Sequence, residues 1–240
     1  MIKIKNLSLN FENRKIFNRQ SLSVEDNKLT VIVGPNGAGK TTLLKIISGA
    51  IKVKTATIEN TAKELFFLPQ KIRYPEGISL FDYILSSFYK NSLKWYISAE
   101  EKAKTEKVLE ELELTDRKNV IIDNLSSGEL QKANLAMAMV SNADCLLLDE
   151  PTSNLDLINQ IKILDIIKNL SSNGICCLII MHDLNLATKY GDYFIGMSKN
   201  CEIIKGEKNE FFTAENLNKI YGLNFEVTKH EEKYNIQVNN

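Results

Sequence analysis

Residues 29–44 read LTVIVGPNGAGKTTLL, and no other stretch so narrows the folds open to the chain. LTVIV (29–33) is a continuous apolar and β-branched run, the pattern of a strand buried on both faces of a parallel sheet. Gly34, Gly39, Lys40 and Thr41 then satisfy G-x-x-x-x-G-K-[ST], and a helix-forming run follows. Strand, glycine-rich turn and helix is the context in which this spacing has a chemical meaning. The glycines let the backbone wrap phosphate oxygens with its N–H groups and the helix N-terminus adds its dipole. The lysine reaches the terminal phosphates and the threonine hydroxyl can ligate Mg²⁺. A chance match in a chain of this length is expected roughly once in a hundred sequences. The stretch therefore predicts an α/β fold and makes Gly34, Pro35, Asn36, Gly37, Ala38, Gly39, Lys40, Thr41 and Thr42 the candidate phosphate-binding residues.

Charge and cysteine usage narrow the setting. With 30 Lys+Arg against 30 Asp+Glu, there is no global field to hold nucleic acid or an anionic membrane, so no nucleic-acid partner is expected. The four cysteines form no C-x-x-C pair, and Cys145, Cys176 and Cys177 lie in apolar runs, as small reduced core residues do in the cytosol. MIKIKNLSLNF alternates apolar and polar residues like a strand and lacks the apolar segment of a signal peptide. The longest apolar run, ICCLIIM, falls far short of the roughly 20 residues that span a bilayer. Work at a membrane would need a second, spanning chain.

The pattern changes character twice along the chain. Residues 1–34 read as strands, and residues 77–119 as helical, with a Ser98-capped helix through SAEEKAKTEKVLEELEL. The next helix opens at Ser126 and sets Leu130, Ala133, Met137 and Val140 on one face. Strands return at CLLLDE (145–150) and CCLIIMHD (176–183), either side of a helix through INQIKILDIIKNL. The expected organisation is one domain, 1–240, with a core and tail from 1–72 and 143–240 and a helical subdomain inserted at 73–142. The tail reads as a Thr213-capped helix closed by Gly222 and a terminal hairpin.

Two further stretches carry chemistry. CLLLDEP delivers Asp149 and Glu150 to the C-terminal edge of a strand, where ligands gather in such sheets. Asp149 suits a Mg²⁺ shell, and Glu150 can orient and deprotonate water. In LSSGE (125–129), Ser126 and Glu129 have the spacing of a capping box, which by itself announces no more than a helix start.

Taken in order, the loop, LSSGE, CLLLDEP, SNLD and a histidine after the next strand resemble the nucleotide-binding subunit of an ABC transporter over nearly the whole chain. The resemblance implies a P-loop ATPase with N-terminal antiparallel strands, a mixed or parallel sheet and an inserted helical subdomain, using ATP and Mg²⁺. It implies that Phe11 stacks on adenine, that Gln70 couples Mg²⁺ and the attacking water to the helical insertion, and that His182 contacts the γ-phosphate. Ser126, Ser127 and Gly128 match the family signature and Asp156 the loop crossing the dimer interface, so these residues would complete the site of a partner subunit in a head-to-tail homodimer. Three departures stand out. Ser127 occupies a place usually held by glycine, which carries a cost if the backbone there needs positive φ, and Glu129 occupies a place where glutamine is common. The glycine-bearing hairpin between Gly49 and Gln70 is reduced to IKVKTATIEN.

YPEGISLFDYILSSF, MHDLNLA and FTAENLNKIYGLNFEV are similar to ATPases that import iron-siderophore complexes, haem or cobalamin. That similarity implies a polytopic permease, an extracytoplasmic solute-binding protein reached through it, and a peripheral location on the cytoplasmic face of the membrane. An ATPase for another solute such as a metal ion, or a soluble ABC ATPase of cluster assembly, stays open as an alternative.

Overall fold

The computed structural model describes residues 2–11, 14–91, 96–231 and 233–239. Its backbone is a six-stranded sheet in the order β5-β6-β7-β3-β8-β9. The strands are β3 (Leu29–Val33), β5 (Leu65–Leu68), β6 (Cys145–Leu148), β7 (Cys176–Ile180), β8 (Tyr193–Met197) and β9 (Ile203–Glu207). All neighbours pair in parallel except β8 with β9. Alternate residues of the central strands enter two separate cores, which explains their unbroken hydrophobicity. Val31, Val33, Leu146, Leu148, Cys177 and Ile179 face one core. Ile32, Cys145, Leu147, Leu178 and Ile180 face the other.

The second core is closed by the expected N-terminal antiparallel sheet, order β2-β1-β4, formed by β1 (Ile2–Phe11), β2 (Arg14–Val24) and β4 (Thr57–Asn60), together with helix α1 (Lys40–Ile47). IKVKTATIEN thus supplies a four-residue strand that pairs antiparallel with β1. Helices close the first core: α2 (Leu80–Leu85), α3 (Ala99–Glu111) and α4 (Ser127–Val140) from the middle of the chain, and α5 (Leu157–Ser172) and α6 (Leu184–Tyr190) after it. The short α7 (Lys208–Phe211), then α8 (Ala214–Tyr221), and the hairpin β10 (Phe225–His230) with β11 (Lys233–Val238) add to it. As read from the sequence, α8 is capped by Thr213 and closed by Gly222 at φ 70°.

Helix α4 departs from the single apolar face expected of it. Ala133, Leu135, Ala136, Ala138 and Val140 are all buried, and so is Asn134, whereas Leu130 and Met137 are only half-buried. α4 packs against both α2 and α3 and touches β5, so apolar surface is needed around most of its circumference and alanines permit the close approach. Asn134 is satisfied there: it accepts from the Tyr83 hydroxyl at 2.9 Å and donates to the Tyr74 hydroxyl at 3.0 Å. Stranding this amide would cost about 1–3 kcal/mol, so it ties the Tyr74 segment and α2 to the helix that begins at Ser126.

Candidate functional site

The loop after β3 gets its shape from glycines that no other residue could replace without strain. Gly34 has φ 145° and an added Cβ would lie 2.2 Å from the Met197 carbonyl oxygen; Gly39 has φ 99° and its Cβ would lie 2.7 Å from Ile16 Cγ2. The turn leads directly into α1, whose N-terminus has no side-chain cap and no acidic residue in its first turn. Those N–H groups open onto a cavity of about 490 Å³ lined by Ile16, Asn36, Gly37, Gly39, Lys40, Thr41, Thr42, Gln70, Glu150 and His182. An uncapped helix start at a glycine-rich turn is a ready anion site.

Lys40 is buried and donates to the carbonyl oxygens of Gly34 at 2.7 Å and Pro35 at 3.1 Å. Burial holds its ammonium below the ordinary lysine value, while Glu150 and Asp149 pull the other way. The Thr41 hydroxyl donates to Asp149 Oδ1 at 3.1 Å. Burial raises the Asp149 carboxyl, with the Thr41 hydrogen bond opposing. Thr41 and Asp149 present hard oxygen ligands suited to Mg²⁺. Among the described residues no group of three or more His, Cys, Asp or Glu side chains could hold a metal ion unaided, so any ion there would need phosphate oxygens and water as well.

Glu150 is the focus of the cavity. Gln70 Nε2 donates to its Oε2 at 2.6 Å, and His182 Nε2 lies 2.5 Å from its Oε1. Its φ is 53°, in the left-handed region, although the residue before a proline is biased toward extended conformations. Strain of this kind costs about 1–3 kcal/mol and persists only where the surroundings enforce it, most often at functional sites. His182 stands two residues beyond the end of β7, half exposed, and so lies past the buried strand it was expected to end.

The remaining expected residues are not on this cavity wall. Phe11 ends β1, 49% exposed, and is not among the lining residues. Ile16 of β2 lines the cavity, and Arg14 Nη2 donates to the Gly37 carbonyl at 2.8 Å. The sequence held no motif for Arg14 or Ile16; the signal was their position on the strand returning from Phe11.

Ser126 caps α4 in the reciprocal box with Glu129. Ser127 is the first helical residue and has no positive φ, so the serine there carries no backbone cost. Gly128 faces the Asn159 side chain, and Asp156 caps α5 by accepting from Asn159 N at 2.8 Å. Signature and Asp156 thus meet each other through Asn159 and do not line the cavity that Lys40 lines. Ser127 instead lines a smaller cavity of about 140 Å³ together with Gln70 and Asn134.

A glycine-rich turn at an uncapped helix start, an Asp-Glu strand end gripped by a glutamine and a histidine, and a separate capped serine helix define the ATP-binding cassette class of P-loop nucleotide-binding proteins. Residues 17–153 match the family model described as ABC transporter. The chain is 39% identical over 228 residues to an uncharacterized ABC transporter ATP-binding protein of Methanocaldococcus jannaschii, covering 89% of this chain and 88% of the relative. It is 30% identical to YusV, whose name assigns it to a siderophore transport system of Bacillus subtilis, over 95% of this chain and 88% of the relative. A solved metal-chelate type ABC transporter in an inward-facing conformation superposes with a TM-score of 0.88 at 25% identity, over 99% of this chain and 96% of that one. The chain belongs to the ABC transporter family. It is a nucleotide-binding ATPase, and membership implies a second ATP-binding subunit and a membrane permease.

Proposed function

We propose that this chain is the ATP-hydrolysing subunit of an importer that energises uptake of an iron complex (a siderophore or haem) or of cobalamin through a separate polytopic permease. The observation that carries the catalytic reading is the convergence of Gln70 and His182 on the strained Glu150 carboxylate beside Lys40. The solute class is supported by the printed names of the siderophore and metal-chelate relatives and by the coupling-region wording of the sequence.

In this reading the N–H groups of residues 34–42 (Gly34, Pro35, Asn36, Gly37, Ala38, Gly39, Lys40, Thr41 and Thr42), all but the prolyl nitrogen, cradle the phosphates, and Lys40 exchanges its carbonyl partners for terminal phosphate oxygens. Thr41, Asp149 and Gln70 would hold Mg²⁺, which when bound would supply charge neutralisation at the phosphates. Glu150 takes the proton of the attacking water, and His182 orients that carboxylate and contacts the γ-phosphate. Phe11 stacks on adenine beside Ile16. Ser126, Ser127, Gly128 and Asp156 serve the nucleotide of a second copy, the two chains forming a head-to-tail homodimer. Residues 73–142 move as a helical subdomain on the core, so that closure and reopening of the dimer pull on a permease loop. The complex lies on the cytoplasmic face of the membrane and receives solute from an extracytoplasmic binding protein; among the described residues no helix is long and apolar enough to cross a bilayer.

Deleting the gene tests the solute class. Uptake of a labelled iron chelate should be lost with other nutrients unaffected, and the chain should co-purify with a polytopic membrane protein. Unchanged chelate and cobalamin uptake beside a new defect in manganese or amino-acid import would refute the assignment.

A further inference from the structure

Glu129 gives the signature helix a charge as well as a cap. Its Oε2 accepts from Ser126 N and from the Ser126 hydroxyl, both at 2.8 Å, and Glu129 N donates back to Ser126 Oγ at 3.3 Å. Its Oε1 accepts from Arg117 Nε at 2.7 Å. These hydrogen bonds, with the Ser126 backbone contribution largest, hold the carboxyl below the ordinary glutamate value, so it is ionised at neutral pH. For an isolated helix, an anion in the first turn is favourable. For a helix start that must receive a phosphate, the same anion is a like charge beside the ligand, where glutamine would be neutral. Among the described residues Arg117 is the cation paired with Glu129, reaching it from the 3₁₀ turn Thr115–Arg117 that follows α3.

We propose that Arg117 is the positioning and charge-compensating residue of the signature: it neutralises Glu129 so that the α4 N-terminus can accept a nucleotide phosphate. The inference rests on the reading above that Ser126 serves the partner's nucleotide. Arg117 touches no substrate in this account and acts only through Glu129. Arg117 and Glu129 are therefore coupled through charge: removing the cation exposes a repulsion, and removing the anion as well relieves it.

The test uses full-length chains and steady-state ATPase measurements, reading KM and kcat separately at low and high salt. Arg117→Ala should raise the KM for ATP about tenfold at low salt, equivalent to about 1.4 kcal/mol, with a smaller effect on kcat. The ratio to wild type should shrink toward one as the screening length falls from about 30 Å at 0.01 M to about 3 Å at 1 M salt. Adding Glu129→Gln should bring the KM back to that of Glu129→Gln alone. A double variant as impaired as Arg117→Ala, or a defect indifferent to salt, would reduce Arg117 to a structural role and overturn the proposal. Ser126→Arg is the control for the underlying reading. If it is silent, the signature does not serve nucleotide and both ideas fall; if it abolishes turnover while Arg117→Ala has no effect on KM, the charge-compensation proposal alone fails.

Discussion

Glu150→Gln is the substitution whose outcome the geometry fixes most tightly. Glutamine is isosteric with glutamate, so its carbonyl oxygen can still accept from Gln70 Nε2 at the position where Oε2 now does, at 2.6 Å. The amide NH₂ can take the place of Oε1 facing His182, and Gln tolerates the left-handed backbone no worse than Glu. Lys40, Thr41 and the α1 N-terminus are untouched, so nucleotide binding should remain. What is lost is the proton acceptor. General-base catalysis is worth roughly 10²–10⁴-fold, which corresponds to about 3–5 kcal/mol of barrier. Phosphate release under single-turnover conditions should slow by that factor, while ATP accumulates in a long-lived dimer visible by size-exclusion chromatography. Wild-type turnover in this variant would remove Glu150 from the role, and loss of ATP binding would show that its contacts shape the pocket instead.

Gly34→Ala combines a disallowed backbone conformation with a Cβ 2.2 Å from a backbone carbonyl oxygen, so it should lose about 2–4 kcal/mol of stability; an unchanged melting temperature would refute that account of the loop. The Glu129 carboxyl lies below its ordinary value in the folded chain. Its stabilising contribution is therefore fully present above the unfolded value of about 4.3 and is lost as pH falls through the depressed native value. The difference in melting temperature between wild type and Glu129→Gln should accordingly vanish in acid, and a difference that grows there would contradict the hydrogen bonds assigned to Ser126.

What the sequence disclosed follows from how local each signal is. β3, β6 and β7 are legible because both faces are buried, leaving unbroken apolar runs, and the loop glycines because their φ values admit little else. The cap at Ser126 is readable for the same reason: a capping box spans four residues. β5, β8 and β9 are no shorter than β6 but gave no independent signal, β5 and β9 because they are only partly buried. Gly196 interrupts β8, and its missing side chain makes sense only once Ile220 and Phe211 from the tail are packed on it, an added Cβ falling 2.2 Å from Ile220 Cδ1. The two-sided burial of α4 likewise depends on distant partners. In the site, Glu150 and Lys40 were legible from motifs, whereas Ile16 reaches the cavity wall, and Arg14 the Gly37 carbonyl, only through the pairing of β1 with β2. Arg117 stands twelve residues from Glu129, in a turn with no motif of its own.

Whether two chains build each nucleotide site together is decided by a mixed dimer in which one chain carries Lys40→Ala and the other Ser126→Arg. If the signature acts on the partner's nucleotide, both lesions fall on one composite site and the opposite site keeps an intact loop and an intact signature. If it acted within its own chain, every site would hold one lesion. Trapping with Mg²⁺ and vanadate reads site integrity without requiring both sites to cycle. About one trapped nucleotide per mixed dimer is expected, as the two-fold arrangement requires. Complete absence of trapping, with wild type trapping well and each mutant homodimer dead, would contradict it.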